Sequence, residues 1–368
     1  MHSSRIAYTS VLVLSSLIAF FVATESSRSS AGSLVAVAPM LEPRSGHTST
    51  LLPDGRVLIA GGMRRNQDFY RSAELFDPST GRFQESGEMN SARVGHAAIL
   101  LNSGKVLIVG GWSSHACTDS AELYDPSTGR FALVAHMTTR RGQPLATLLK
   151  NGDVLITGGA DRDTPGGVAS AEIFHSATQT FERISSMHSG RISHTATLLN
   201  DGRVLIAGGR GDRVTNSAEI FDPQTKSFFP TGDMITARYK HTAGILPDGR
   251  VLVAGGSDER DWDGNLAAAE IFEPRSGRFT ATAALHASRF KLPEQAAQLP
   301  TGQLLVAGGS SLVELFDHDS GSFQPVSGRL DGAWHFMTET RLRDGRVLLA
   351  GGYANNDQAT DHAWVYQP

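Results

Sequence analysis

The densest set of potential ligands in the chain lies between Asp258 and Asn265. Glu259, Asp261 and Asp263 alternate ahead of Gly264, and Glu270 follows. This nearly reproduces the calcium-loop pattern D-x-[DN]-x-[DN]-G-x5-E, in which alternating oxygens wrap a hard cation. Asp258, Asp261, Asp263 and Asn265 would be the donors. The first position is Glu where the pattern wants Asp, no helical pattern flanks the loop, and Glu270 recurs elsewhere in the chain for other reasons. A solvated acidic loop is therefore expected, with no resident cofactor and calcium as an alternative. His115-Ala116-Cys117 offers two soft ligands, but a zinc site needs two more, so Cys117 reads as a surface thiol. Arg210-Gly211-Asp212 is too short a motif to carry a function. No G-x-S-x-G, H-E-x-x-H or phosphate-cradling glycine loop occurs, and no catalytic residue is assigned.

Composition narrows the class. The chain has 368 residues and a formal net charge of −4, which argues against nucleic acid as the main partner. One cysteine excludes an internal disulfide. Arg5 precedes an apolar run from Val11 to Ala23, of signal-peptide length and close to the minimum for a span. Residues 1–23 are expected to be a signal peptide or an N-terminal membrane anchor, and 24–32 a polar linker. The rest would be secreted, periplasmic, or anchored facing outward.

Residues 33–368 are organised by repetition. The phrase DGRVLIAGG, or a variant, ends in Gly61–Gly62, Gly110–Gly111, Gly158–Gly159, Gly208–Gly209, Gly255–Gly256, Gly308–Gly309 and Gly351–Gly352. A period of about 43 to 53 residues with strand-like content indicates a propeller. Each unit reads as four antiparallel strands: A (R-x-G-H-T), B (R-V-L-I-A-G-G), C (S-A-E-L-F-D-P) and D (G-R-F). Strand B is a continuous apolar run, as in a strand buried on both faces. Strand D has six internal copies, so the seventh is expected at the N-terminus, Leu34 to Val37, closing the ring against the last strand, Ala363 to Tyr366. The fold class is all-β, a seven-bladed propeller.

With the diglycine, the strand D aromatic and the R-x-G-H start of strand A, residues 33–368 resemble a Kelch-repeat β-propeller. The LPDGRVLIAGG spelling is similar to the galactose oxidase branch. That resemblance implies a possible copper held by two tyrosines and two histidines, one tyrosine being cross-linked to a cysteine. The nearest match is Arg238-Tyr239-Lys240-His241, where Lys240 separates the pair, and Cys117 has no evident tyrosine partner. Convergence of Tyr239, His241, His194 and His335 on one point would support a copper enzyme. A hydrolase or lyase using Glu294 and His335 is a further alternative.

Function is expected where the repeats disagree. The A–B and C–D turns are uniform, whereas the B–C loops vary and are rich in Arg, Asp and aromatics; variable loops on one face of a repeat array form the usual binding surface. Arg64, Phe69, Tyr70, Trp112, His115, Arg162, Arg210, Trp262 and Tyr353 are the candidates there. Counting back from each A–B turn glycine, an arginine position holds Arg44, Arg93, Arg141, Arg191 and Arg238, then Lys291 and Trp334. A histidine position holds His47, His96, Pro144, His194 and His241, then Glu294 and Met337. The recurring Arg and the strand C Glu should pair, since buried charges must be compensated. Lys291, Glu294, Trp334 and His335 break the pattern and join the candidate site. The expected protein is a monomeric binding module that recognises an extracellular or periplasmic protein or glycan through the face formed by the B–C and D–A loops.

Overall fold

Strand B of each repeat is apolar throughout, save for Thr157 in blade 3, because both of its faces are covered. In the computed structural model, Val57–Ala60, Val106–Val109, Val204–Ala207 and their counterparts are buried throughout. Val57 and Ile59 pack toward the last blade, with Leu348 and Ala350. Leu58 and Ala60 pack toward the second, with Val106 and Ile108. The period-two alternation of a strand thus serves two neighbours, and each valine, leucine or isoleucine contributes about 1.5–3 kcal/mol when fully buried. The structure describes residues 32–65, 68–113, 116–161, 166–354 and 358–368. The expectations for residues 1–31, the leader and most of the linker, lie outside these. Among the described residues no helix is long and apolar enough to cross a membrane.

Seven four-stranded antiparallel sheets form the ring. Blade 1 runs Thr48–Leu51, Val57–Ala60, Ala73–Asp77 and Arg82–Glu85, and blades 2 to 5 repeat that order. Blade 7 takes Thr338–Arg341, Val347–Ala350 and Ala363–Gln367 from the C-terminus and Ser33–Ala36 from the N-terminus. Leu34 pairs with Tyr366 and Ala36 with Trp364, so the predicted closure is present. The inner strands adjoin one another around the full circle, blade 7 meeting blade 1.

Strand A is shorter than the sequence pattern suggested. The R-x-G-H residues precede it as an extended approach, and the strand proper begins at Thr48 or its equivalent. Blade 6 departs furthest: its strand A is only Ala297–Gln298 and its strand B Leu304–Val306. In blade 1, Ala60 pairs with Thr48. In blade 6, strand A pairing stops at Ala297 opposite Leu305. The Ala307 amide instead donates to a carboxylate of blade 7, Glu339, at 2.7 Å.

Candidate functional site at the channel mouth

The recurring charges are consumed inside the scaffold. Arg93 Nη2 donates to Glu122 at 2.7 Å, Arg191 to Glu219 at 2.8 Å and Arg238 to Glu270 at 2.7 Å, with all six side chains buried. Nη1 of each arginine donates to the first diglycine carbonyl of its own blade, as Arg191 does to Gly208 at 2.8 Å. Each glutamate also accepts an amide from the incoming D–A connection; Glu219 takes His188 N at 2.9 Å. The expected Arg–Glu pair therefore clamps that connection onto strand C. The diglycine lies at the seam. A Cβ on Gly208 would lie 2.5 Å from the carbonyl oxygen of Arg238 in the next blade, and a φ of 62° already favours glycine there.

The histidines are also structural. His47, His96, His194 and His241 are buried, and each Nε2 meets a threonine hydroxyl of the preceding blade, His194 with Thr157 at 3.0 Å and His241 with Thr195 at 3.1 Å. Burial, reinforced by a neighbouring arginine, holds His47, His96 and His194 near pKa 3 and pushes His241 well down, so the rings are neutral.

These anchors correct the register read from the turns. Blade 6 keeps its arginine as Arg289, paired with Glu314, and Leu292 stands where the histidine would. Its Leu292 Cδ1 would lie 2.9 Å from a Cβ on Gly255, as His241 Cε1 does (2.8 Å) at Gly208. Lys291 therefore does not replace an arginine, nor Glu294 a histidine. Pro293 and Glu294 are a two-residue insertion between the arginine anchor and strand A, and counting back from the turn passed over it. Blade 7 does replace its arginine with Trp334. Its strand C carries Trp364 at the glutamate position, and His362 lies edge-on to both rings at 5.9 Å.

The position two residues after each arginine rings the mouth of the channel. It holds Gly46, Gly95, Gln143, Ser193, Lys240, Lys291 and Phe336, all at φ between 51° and 59°. The conformation links blade to blade: Gly95 N donates to Gly46 O, Gln143 N to Gly95 O, Lys240 N to Ser193 O, Phe336 N to Lys291 O and Gly46 N to Phe336 O, at 2.7–3.3 Å. Glycine fits this geometry most cheaply, and a side chain there costs about 1 kcal/mol or more. Blades 1 and 2 use glycine. Blades 5 to 7 carry Lys, Lys and Phe.

Those side chains build a cluster with the loops above them. Lys240 Nζ donates to Asp261 at 2.7 Å and to Tyr239 Oη at 3.2 Å, and Tyr239 donates to Asp261 at 2.5 Å. Asp261 opens the short 3-10 turn Asp261–Asp263 at φ 51°. Arg210 lies 5.9 Å from the centroid of Tyr239. Lys291 Nζ donates to Tyr353 Oη at 2.6 Å and sits 3.7 Å from the centroid of Trp262, a cation–π contact. Trp262 meets Phe290 and His335 edge-on, with centroids 4.9 Å away, and keeps 42% of its surface in solvent. Burial lowers the Lys240 pKa and lowers that of His335 to about 4. Burial disfavours the Asp261 carboxylate, but the hydrogen bonds from Lys240 and Tyr239 outweigh it and hold its pKa below the ordinary value. Burial together with the Asp261 hydrogen bond pushes the Tyr239 phenol up. The result is a fixed set of hydrogen-bonding groups around one exposed indole.

The channel below is a cavity of about 620 Å³ lined by residues including Phe69, Trp112, Gln143, Glu294, Phe336 and Glu339. Glu294 lines this cavity with an exposed side chain, and desolvation by the surrounding protein pushes its pKa up. Burial drives Glu339 up to about 8 despite the amides of Ala307 and Ala297 that it accepts.

The sequence candidates therefore divide. Trp262, Lys291, His335, Tyr353 and Arg210 come together over blades 4 to 7. Phe69 and Trp112 line the cavity on the opposite arc and are half-buried, as is Tyr70, whose ring lies under Arg44 at 4.8 Å. They are not the exposed aromatics expected. Arg64 is exposed on blade 1, and Trp334 is half-buried with Nε1 donating to Asp331 at 2.8 Å. His115 and Arg162 lie outside the described residues. Cys117 is buried in the hairpin Trp112–Ser113/Ala116–Cys117 and is not a surface thiol. Sequence reasoning passed over Phe290 and Glu339 and took Lys240 only as a spacer. Counting from the arginines would have aligned Lys240 with Lys291.

Neither proposed metal set assembles. Asp258 is occupied by Arg260 and Asp261 by Lys240 and Tyr239. His194 and His241 serve separate blade seams, while His335 packs among aromatic rings and shares no hydrogen bond with Glu294. Among the described residues no group of three or more His, Cys, Asp or Glu could hold a metal ion.

Comparison with known proteins agrees with this architecture. A Kelch motif model matches residues 93–138, from Arg93 through the fourth strand of blade 2. No curated protein gives a match. Among solved structures, a fungal alcohol oxidase of the AA5 family in complex with copper is similar, with a TM-score of 0.73 and 16% identity over 92% of this chain and 76% of the other. The likeness is one of fold: this chain is a seven-bladed β-propeller whose second blade matches the Kelch motif and whose architecture is similar to that of the copper-bound alcohol oxidase.

Proposed function

We propose that this protein is an exported recognition module that binds a glycan through the channel-mouth cluster of blades 5 to 7. The observation that carries this is Trp262. Its ring is fixed by Lys291, Phe290 and His335 and still keeps 42% of its surface in solvent. A pre-set indole beside hydrogen-bonding groups suits the face of a sugar ring, because little conformational freedom remains to be lost on binding. Export rests on the apolar run from Val11 to Ala23, and mass spectrometry of the mature N-terminus tests it. A glycan array probed with wild type and Trp262→Ala tests the site. Binding that disappears in the variant supports the assignment, and an identical binding profile moves the site elsewhere.

A copper-dependent oxidase is the second reading, raised by the fold shared with a copper-bound alcohol oxidase. The residues present do not fit a copper centre. Copper ligation wants several imidazole or thiolate donors around one point, whereas the two buried histidines are committed to threonines of different blades. Metal analysis after copper loading decides between the readings: stoichiometric retained copper would revive the oxidase.

A further inference from the structure

We infer that the ligand of this mouth is acidic: a glycan bearing carboxylates, of the uronate class. The inference rests on the glycan reading above and adds the charge of the ligand. Three cationic side chains, those of Arg210, Lys240 and Lys291, surround Tyr239, Asp261 and Trp262. Asp261 is the carboxylate within that group, and it lies against Lys240 at 2.7 Å. The neighbouring acids are directed elsewhere. Asp258 is bridged by Arg260 at 2.7 Å, and Glu259 accepts the Val214 amide. Asp263 is exposed at the far end of the turn. Beneath the mouth, burial raises the pKa of Glu339 to about 8, which reduces its share of negative charge, while Glu294 is exposed in the channel. The centre of the mouth therefore carries excess positive charge in a partly desolvated setting, where it acts more strongly than on an open surface.

The backbone strengthens the argument. Lys240 and Lys291 both occupy left-handed positions at φ 55°, where blades 1 and 2 use glycine for the same inter-blade link. A side chain there carries a conformational cost of about 1 kcal/mol or more; blades 3 to 7 all bear it, and in blades 5 and 6 it places two ammonium groups beside one exposed indole. Strain of this kind concentrates at ligand sites. The indole offers the apolar face of a sugar ring its stacking surface, and the cations offer the ring carboxylate its partner.

Calorimetry with an oligogalacturonate and with its fully methyl-esterified form separates the two layers of the inference. Wild type is expected to bind the acid form at least tenfold more tightly than the ester, with an advantage that shrinks as salt rises. Arg210→Gln with Lys240→Gln is expected to narrow that tenfold gap between acid and ester. Trp262→Ala is expected to weaken both. Equal affinity for acid and ester, or an acid preference that the double substitution leaves undiminished, overturns the charge assignment and leaves the glycan reading standing. No binding of either form, or of any neutral glycan on an array, by protein with a native denaturation midpoint overturns both.

Discussion

Blades 4 and 7 hold equivalent places in the ring and fill them with opposite chemistry. Along the approach to strand A, blade 4 reads Arg191, Ile192, Ser193, His194, Thr195, Ala196, and blade 7 reads Trp334, His335, Phe336, Met337, Thr338, Glu339. In blade 4 the arginine pairs with Glu219 and the histidine with Thr157, so both are anchored within the scaffold, although Arg191 Nε and His194 Nδ1 find no hydrogen-bond partner among the described residues. Blade 7 puts Trp334 and Trp364 in place of the ion pair, with His362 edge-on to both. The fold therefore does not require the charge pair. It requires a filled seam and a fastened D–A connection, which aromatic packing also supplies. Such an exchange accords with the general cost of desolvating buried ions. Blade 7 then turns His335 and Tyr353 toward the mouth cluster and Glu339 toward the channel.

The largest effect is expected from breaking the blade 4 solution halfway. Arg191→Met leaves Glu219 buried without its guanidinium partner and frees the carbonyls of Gly208 and Ser217. Removing one member of a buried pair typically costs about 3–5 kcal/mol. Arg191→Met combined with Glu219→Met imitates the uncharged solution of blade 7 and should be less destabilising than the single change. Denaturant unfolding of both variants checks the order; a double variant weaker than Arg191→Met would show that the pair does more than fill space.

This contrast also explains what was legible in the sequence. Strand B, the turns, the Arg–Glu pairing and the ring closure rest on local patterns or on the rule that buried charge must be compensated, and all appear as expected. The mouth cluster joins Tyr239, Trp262, Lys291 and Tyr353 from three blades, and no local pattern reports that meeting. The register of blade 6 was lost because Pro293 and Glu294 are inserted on the side of the anchor from which the count was made. Trp112 looked exposed because it lies in a loop, yet its ring packs over Gly142, where a Cβ would come within 2.5 Å of it.

A smaller effect concerns pH. His194 is neutral in the fold with a pKa near 3, against an ordinary value of 6.5. The unfolded chain therefore binds the proton first, so stability is complete above pH 6.5 and falls as pH drops from 6.5 toward 3. His47 and His96 share that window. The limiting slope is about 1.4 kcal/mol per pH unit for each group. His194→Met, the blade 7 choice, should lower the slope by one group in denaturation measured between pH 6 and 4. An unchanged slope would mean that the ring is not buried neutral.

Glu339 has the opposite sign. Its folded pKa of about 8 lies above the ordinary 4.5, so the fold holds the proton more tightly than the unfolded chain does. Its contribution is complete below pH 4.5 and is lost as pH rises through 8. Channel water screens part of this, so the effect should be weaker than that of the histidines. Glu339→Gln should flatten stability between pH 5 and 8. A variant that still loses stability across that range assigns the titration to another group.

The smallest effect tests whether the left-handed ring is scaffold or site. Ser193 and Phe336 share the same φ, 51° and 52°, but only Phe336 joins the cluster, 6.1 Å from Tyr353 and 5.9 Å from the Lys291 ammonium. The Ser193 hydroxyl makes one long contact, 3.4 Å to Gln143. Its backbone carbonyl, which accepts the Lys240 amide at 3.0 Å, is what the ring needs. Ser193→Gly removes the left-handed cost of about 1 kcal/mol and adds backbone freedom to the unfolded chain, worth about 0.5–1 kcal/mol against it. The net change in denaturation midpoint should therefore be near zero or slightly favourable. Phe336→Gly gains the same relief but gives up an aromatic ring over Lys291 and Tyr353, so it should destabilise and also weaken ligand binding. If both variants destabilised to the same extent, the left-handed position would contribute equally in every blade, and its lysines could not be read as retained for the mouth.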